Sequence, residues 1–255
     1  MLPKIIWIYW HQGWKSVSDI PKICLESWCS LNNDWDIKNI DYKDVKNLIP
    51  DIVIYEKKNL PLQALSDVIR IYLLNEFGGV WADSTVLCNR PLNNWLYSYL
   101  KEGFFAYSHP THDRLVASWF LASLKNHLIT KKWHEKTKIY WKIHEIINSR
   151  YQYLNKFDDE YYWFHHLFNK IYNEDLEIKQ IWDKVPKLSV SINKAEGPHF
   201  FIPYAKKFKQ PLSFHTKETI YNKNIAMFKL TWEFYDRKEN ETLDYLLNNW
   251  GKGPC

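Results

Sequence analysis

The sequence predicts a single α/β domain, with an open, largely parallel sheet in its first half and added helices in its second. Three observations carry this prediction. Residues 4–10, KIIWIYW, form an apolar, β-branched and aromatic run between Pro3 and His11-Gln12-Gly13, the pattern of a strand buried on both faces. Residues 64–87, ALSDVIRIYLLNEFGGVWADSTVL, read as a helix, a tight turn and a second buried strand. Strand and helix signals alternate through the first half and then give way to helix-rich segments with short strands, without internal repeats or a low-complexity linker. One core suffices at 255 residues.

In an open α/β sheet, ligands bind at the carboxyl ends of the strands. Trp10, His11 and Gln12 lie there after the first strand and are candidates to hold a nucleotide base, although Trp10 could equally fill core and His11 could be a hydrogen-bonded structural residue. Ser18-Asp19-Ile20-Pro21 starts a helix that runs to about Leu31, and Asn32-Asn33-Asp34 forms a turn. Trp35 to Ile40 is the second strand, with Asp41 at its end. Asp41 either bonds ribose hydroxyls or caps a helix starting near Asp44.

The central helix carries Ala64, Leu65, Val68, Ile69, Tyr72 and Leu73 at spacings of three and four, one apolar face toward a core. Asp67 and Arg70 fall three apart on a shared face, and spacing alone makes them an intrahelical ion pair worth about 0.3–0.5 kcal/mol. Gly78-Gly79 ends the helix, since glycine accepts the left-handed conformation of a C-terminus. Val80-Trp81-Ala82 then delivers Asp83, Ser84 and Thr85 to the ligand-binding end, where Asp83 is either a ligand or a turn cap.

Beyond this stretch, residues 94–100 read as a short helix, 104–107 as a buried strand and 116–122 as a strand or strand-turn. Helices follow over 133–151, with Trp133, Tyr140, Ile143, Ile147 and Tyr151 on one stripe, and over 158–173, with Tyr161, Phe164, Phe168 and Ile171. His165 and His166 are adjacent on that helix and cannot both face one ion. Residues 196–199 form a turn, 211–216 a strand or loop, and 229–232, KLTW, a buried short strand with an outward Lys.

Composition narrows the function classes. The net charge of +5 comes from lysines spread along the chain, without the concentrated basic stripe of a nucleic-acid binder, so no nucleic-acid partner is expected. A mild basic excess suits an anionic substrate or membrane surface. Aromatic residues make up 17% and serve both as core and as platforms for bases and sugar rings. Cys24, Cys29, Cys88 and Cys255 include no C-x-x-C pair and read as reduced thiols of a cytoplasmic protein. The start lacks a signal-peptide pattern, and no run of eighteen apolar residues could span a membrane.

Taken in order, PKIIWIYWHQGW, LNNDWDI at 31–37, the Asp67/Arg70 helix with Gly-Gly and Asp83, FFAY at 104–107, ASWFLAS at 117–123 and KLTW resemble glycosyltransferase family 32 and its bacterial capsular polysaccharide synthesis branch. The resemblance implies a GT-A-type, Rossmann-like domain over 1–255, with 1–125 mainly binding a nucleotide sugar and 126–255 supplying the acceptor side and a C-terminal loop. It implies a retaining transferase that uses a UDP-sugar and Mn²⁺ or Mg²⁺ and serves a saccharide acceptor in capsular or lipopolysaccharide assembly. If that acceptor is lipid-linked, the protein docks on the inner face of the cell membrane. Asp67 would accept hydrogen bonds from the donor sugar, and Arg70 would bond a sugar hydroxyl or the diphosphate. Asp83 would hold the metal, with Thr85 and, less directly, Ser84 reaching it; Lys229, Thr231 and Trp232 would fold over the diphosphate. The chain departs from the family's Asp-x-Asp pattern in placing Thr85 where the second Asp stands. That loss lowers the expected metal affinity and keeps open a non-catalytic nucleotide-sugar or carbohydrate-binding protein. No residue presents itself as catalytic base.

Overall fold

Strand β1 (Ile5–Tyr9) is the middle of a parallel trio, flanked by β2 (Asp36–Ile40) and β3 (Gly79–Ala82). In the computed structural model, which describes residues 1–57, 60–143, 161–190, 197–199, 212–222, 224–231 and 241–250, the main sheet has the order β2-β1-β3-β6-β5. The last two strands, β5 (Phe104–Thr111) and β6 (Arg114–Ser123), form an antiparallel hairpin. β6 runs antiparallel to β3, pairing Gly79 with Ser123 and Ala82 with Phe120. The mixed α/β class read from the sequence is the class observed. The 116–122 run is a full strand in the sheet interior, placed directly beside the strand that carries Asp83.

Helix α1 (Asp19–Leu31) follows β1, and α2 (Tyr42–Leu48) and α3 (Ile52–Glu56) follow β2. The central helix α4 (Leu62–Glu76) buries Leu65, Val68, Ile69 and Leu73; a short α5 (Leu96–Tyr99) follows it in the chain, and α4 packs on α6 (Leu128–Ile143). Its last turn runs into Gly78 (φ 70°) and Gly79 (φ 94°). A Cβ on Gly79 would lie 2.6 Å from the Ile5 carbonyl oxygen, and one on Gly78 would lie 2.7 Å from the Lys125 amide. Glycine is therefore required twice over, for the left-handed backbone and for the close approach of β3 to β1.

Strand β4 (Val86–Cys88) pairs with β7 (Met227–Lys229) in a separate two-stranded antiparallel sheet. A second apolar cluster holds it, made by Ile20 and Cys24 of α1, Leu87, Phe228, Leu230, and Leu243, Leu246 and Leu247 of a C-terminal helix (Glu241–Asn249). Lys229 is thereby fixed opposite Val86.

Several boundaries moved. Of the 211–216 stretch, residue 211 lies outside the described residues, 212–213 are loop, and the Ser213 hydroxyl accepts the Thr216 amide at 3.1 Å and caps a helix over Phe214–Tyr221. The helix after Asp41 starts at Tyr42. On α6, Trp133 is buried as its stripe required, while Ile147 and Tyr151 lie outside the described residues. Helix α7 (Trp163–Glu174) buries Phe164, Phe168 and Ile171, but Tyr161 precedes it and is exposed. Cys24 and Cys29 are free thiols. Among the described residues, no helix is long and apolar enough to cross a membrane.

Candidate functional site

A cleft of about 390 Å³ opens at the carboxyl ends of β1 and β3. Trp10, His11 and Gln12 line it after β1, Asp67 and Arg70 from α4, and Asp83, Ser84 and Thr85 after β3. From the second half of the chain come Tyr161, His165 on α7 and Lys229 at the end of β7. The cleft is thus built from both halves, not from the first alone.

Asp83 stands at its centre because its backbone is held on two sides. Its amide donates to the Trp119 carbonyl on β6 at 2.9 Å, and its own carbonyl accepts the Val86 amide at 2.9 Å, which closes the turn through Ser84 and Thr85. Trp81, two residues earlier on the same strand face, donates from Nε1 to Asp83 Oδ1 at 2.9 Å. Arg70 Nη2 lies 3.2 Å from that same oxygen and 3.1 Å from Asp67 Oδ1. Its Nη1 donates to the Ser118 carbonyl at 2.5 Å, and its guanidinium sits over the Trp81 ring, 5.2 Å from the centroid. The fork thus spans two carboxylates and one backbone oxygen, which a single ammonium cannot do.

The other oxygen of Asp83 belongs to Lys229. Lys229 Nζ donates to Asp83 Oδ2 at 3.0 Å and to Thr85 Oγ1 at 2.6 Å. Lys229 is held in place by its own backbone, whose amide donates to the Pro198 carbonyl at 2.8 Å, while the Leu230 amide donates to the Thr85 carbonyl at 2.8 Å.

The two carboxylates respond oppositely to this setting. Burial raises Asp67 to about 7, against the pull of Arg70 and with the charge of Asp83 adding to the rise. Burial acts on Asp83 in the same direction, but Lys229, Arg70 and the Trp81 N–H outweigh it and hold the carboxyl below its usual range. Two cations around one carboxylate make Asp83 a firm anion; one shared cation leaves Asp67 close to neutrality.

The β1 side is quieter. The Tyr9 hydroxyl and His11 Nδ1 are 2.7 Å apart, and the His11 ring stacks on Tyr42 at 4.9 Å. Burial lowers the His11 pKa, so the ring is neutral at pH 7. Trp10 is half-buried and Gln12 exposed. Asp41 does not line the cleft: its Oδ1 accepts the Lys43 amide at 2.7 Å and the Asp44 amide at 3.1 Å, and its own amide donates to Asp44 Oδ2 at 2.9 Å. Of the two readings of Asp41, the reciprocal cap of α2 is the one it performs.

Of the KLTW stretch, Lys229 enters the site, the buried Thr231 hydroxyl finds no partner among the described residues, and Trp232 lies outside them. Trp81 and Ser118 were not foreseen. The period of two along β3 could have pointed to Trp81, but nothing in the sequence signals that a Ser118 carbonyl on a distant strand receives Arg70. His165 reaches the cleft and His166 is not among its lining residues, as adjacent helical positions require. His199 accepts from Trp119 Nε1 at 2.8 Å just behind the site, a pairing the sequence did not reveal.

The residues expected to bind a metal, Asp83 and Thr85, are bridged by the Lys229 ammonium. Hard divalent ions take several oxygen ligands at about 2.0–2.6 Å. Here the nearest carboxylate already faces two cations, and among the described residues no group of three or more His, Cys, Asp or Glu is placed to hold an ion. As arranged, this donor set does not fit a divalent metal.

Three comparisons with known proteins accompany this geometry. A solved structure, the PaToxG glycosyltransferase, is similar over 70% of this chain and 73% of its own, with 15% identity and a TM-score of 0.44. A probable glycosyltransferase, FCK3 of Fusarium pseudograminearum (strain CS3096), is 27% identical over 151 residues, which cover 52% of this chain and 38% of that protein. This chain therefore spans well under half the length of that curated relative. The model of the capsular polysaccharide synthesis proteins matches residues 1–248, nearly the whole chain, and the chain belongs to that family.

Proposed function

We propose that this protein is a glycosyltransferase that takes a sugar from a UDP-sugar and passes it, with retention of anomeric configuration, to a saccharide acceptor in capsular or lipopolysaccharide assembly. The observation that carries this reading is the set of Asp67, Arg70, Asp83 and Lys229 in one cleft at the carboxyl ends of β1 and β3. Family membership supports transfer chemistry, and the name of the FCK3 relative points the same way.

Sugar transfer breaks the bond between the anomeric carbon and a phosphate oxygen, so positive charge grows on the sugar and negative charge on the departing diphosphate. Fixed cations aimed at that diphosphate lower the barrier, because they need no reorganisation during the reaction. Arg70 and Lys229 supply such charge, held in place by Asp83. Asp67 accepts hydrogen bonds from donor hydroxyls. Trp10 and the neutral His11 offer flat surfaces for the base. Front-face attack assisted by the leaving phosphate needs no protein base, which agrees with a cleft whose carboxylates are both tied to Arg70. A lipid-linked acceptor would bring the protein to a membrane surface.

The test is a panel of UDP-, GDP- and CMP-sugars, read by thermal shift and by nucleotide release. Stabilisation by one UDP-sugar together with slow UDP release is the expected result. If no nucleotide sugar stabilises the protein, the transferase reading fails.

A further inference from the structure

We propose that the Lys229 ammonium is the cation that binds the donor's diphosphate, so that this site binds its nucleotide without a divalent metal. The proposal rests on the donor reading above and deepens it. Its first support is position. Lys229 Nζ occupies the point between Asp83 Oδ2 (3.0 Å) and Thr85 Oγ1 (2.6 Å), the two side chains that an Asp-x-Asp-like motif would offer to an ion.

The second support is fixation. β7 is paired to β4, the strand that leaves the Asp83–Thr85 turn, and Lys229 is bonded through its amide to Pro198. Its side chain is only 17% exposed, so the charge is built into the fold instead of hanging from the surface. An ammonium carries three N–H donors, and Asp83 and Thr85 take two, leaving one for an oxygen in the cleft that Lys229 lines.

The third support is charge balance. Thr85 in place of a second carboxylate removes one negative charge that a divalent ion would need, and Lys229 contributes one positive charge at the same point. Between the Asp83 and Thr85 side chains one positive charge thus meets one carboxylate, while Arg70 faces the other Asp83 oxygen. Introducing a divalent ion would require it to displace the ammonium and share its one carboxylate with Arg70. One substitution away from the Asp-x-Asp pattern and one lysine 144 residues downstream thus read as a compensating pair.

The experiment is calorimetric titration of the full chain with UDP and, separately, with inorganic pyrophosphate, each in EDTA and in Mn²⁺. Wild type is compared with Lys229→Gln, which keeps hydrogen bonding without charge, and with Lys229→Arg, which keeps the charge. Thermal melts confirm that each variant is folded, and if Lys229→Gln does not fold, the arginine variant and the wild-type metal comparison still decide. Wild-type UDP affinity is expected to agree within about twofold between EDTA and Mn²⁺. Lys229→Gln is expected to lose about 10- to 100-fold, the range of one charge-assisted hydrogen bond, and Lys229→Arg to retain most of the affinity. Binding of UDP only in the presence of Mn²⁺, or unchanged binding by Lys229→Gln, overturns the proposal and leaves the donor reading standing. Pyrophosphate binding in EDTA that needs Lys229, without any binding of UDP, upholds the lysine site and removes the nucleotide reading. If neither ligand binds wild type in either condition, both fail.

Discussion

The carboxyl ends of β1 and β3 open into the same cleft but are built in different ways. At the β1 end and at the neighbouring β2 end the polar side chains find partners close by in sequence: Tyr9 meets His11, and Asp41, after β2, caps α2 through Lys43 and Asp44. At the β3 end Asp83 adds to its neighbour Trp81 partners from farther along the chain, Arg70 and Lys229, and Arg70 reaches Ser118. A locally satisfied group can be removed at a local cost. A group that balances buried charges from several elements cannot, because its loss strands all of them.

Asp83→Ala should break the β3 end most completely. It leaves Arg70 and Lys229 without their shared counter-ion, so transfer should fall to background and unfolding free energy should drop by about 3–5 kcal/mol. A melting temperature unchanged from wild type would show that the two cations do not depend on Asp83. Arg70→Lys comes next. One ammonium cannot span Asp67, Asp83 and the Ser118 carbonyl, so a loss of about 2–3 kcal/mol and of most donor affinity is expected in chemical denaturation and titration. Equal performance by lysine would reduce Arg70 to a simple helix ion pair.

Acid offers a graded way to sharpen the comparison. Burial holds His165 and His199 neutral, each lowered to about 3, and His134 at about 4. Their folded pKa values lie below the unfolded 6.5, so the stability they contribute is present above pH 6.5 and is lost as pH falls toward 4 and below. Asp67 acts with the opposite sign. Its folded value of about 7 lies above the unfolded one, so its contribution is full at low pH and is lost as pH rises through 7. Asp67→Asn should therefore be stabilised relative to wild type as pH rises from 4 to 7, with a difference growing by at most about 1.4 kcal/mol per pH unit. Parallel stability profiles for the two proteins would mean that Asp67 is ionised throughout.

The smallest effect belongs to the neighbouring β2 end. Asp41→Ala should cost about 1 kcal/mol through the lost cap and leave UDP affinity within about twofold of wild type. A large drop in UDP affinity at unchanged stability would give Asp41 back its ribose role and make the two strand ends alike.

Periodicity and glycine chemistry made much of this protein legible in advance. The apolar spacing of α4, the Gly78-Gly79 turn and the delivery of Asp83 depend on neighbours within a few residues, and that is the range over which a sequence speaks. Asp67 and Arg70 could be placed on one face for the same reason. What pairing does to those residues was not legible. An exposed i,i+3 pair and a buried guanidinium joining two carboxylates have the same spacing, and only the packing of α4 against the sheet and of β6 beside β3 distinguishes them. The cap at Asp41 was written in the sequence as an alternative, and backbone geometry chose it. Lys229 is the plainest case. Its partners lie 144 and 146 residues away, joined by the pairing of two three-residue strands, and strand pairing across such a distance leaves no periodic mark on the chain. The sequence determined which carboxylates and cations the molecule carries; the tertiary structure decided that a lysine stands where a metal was expected, because only folding brings β7 alongside β4.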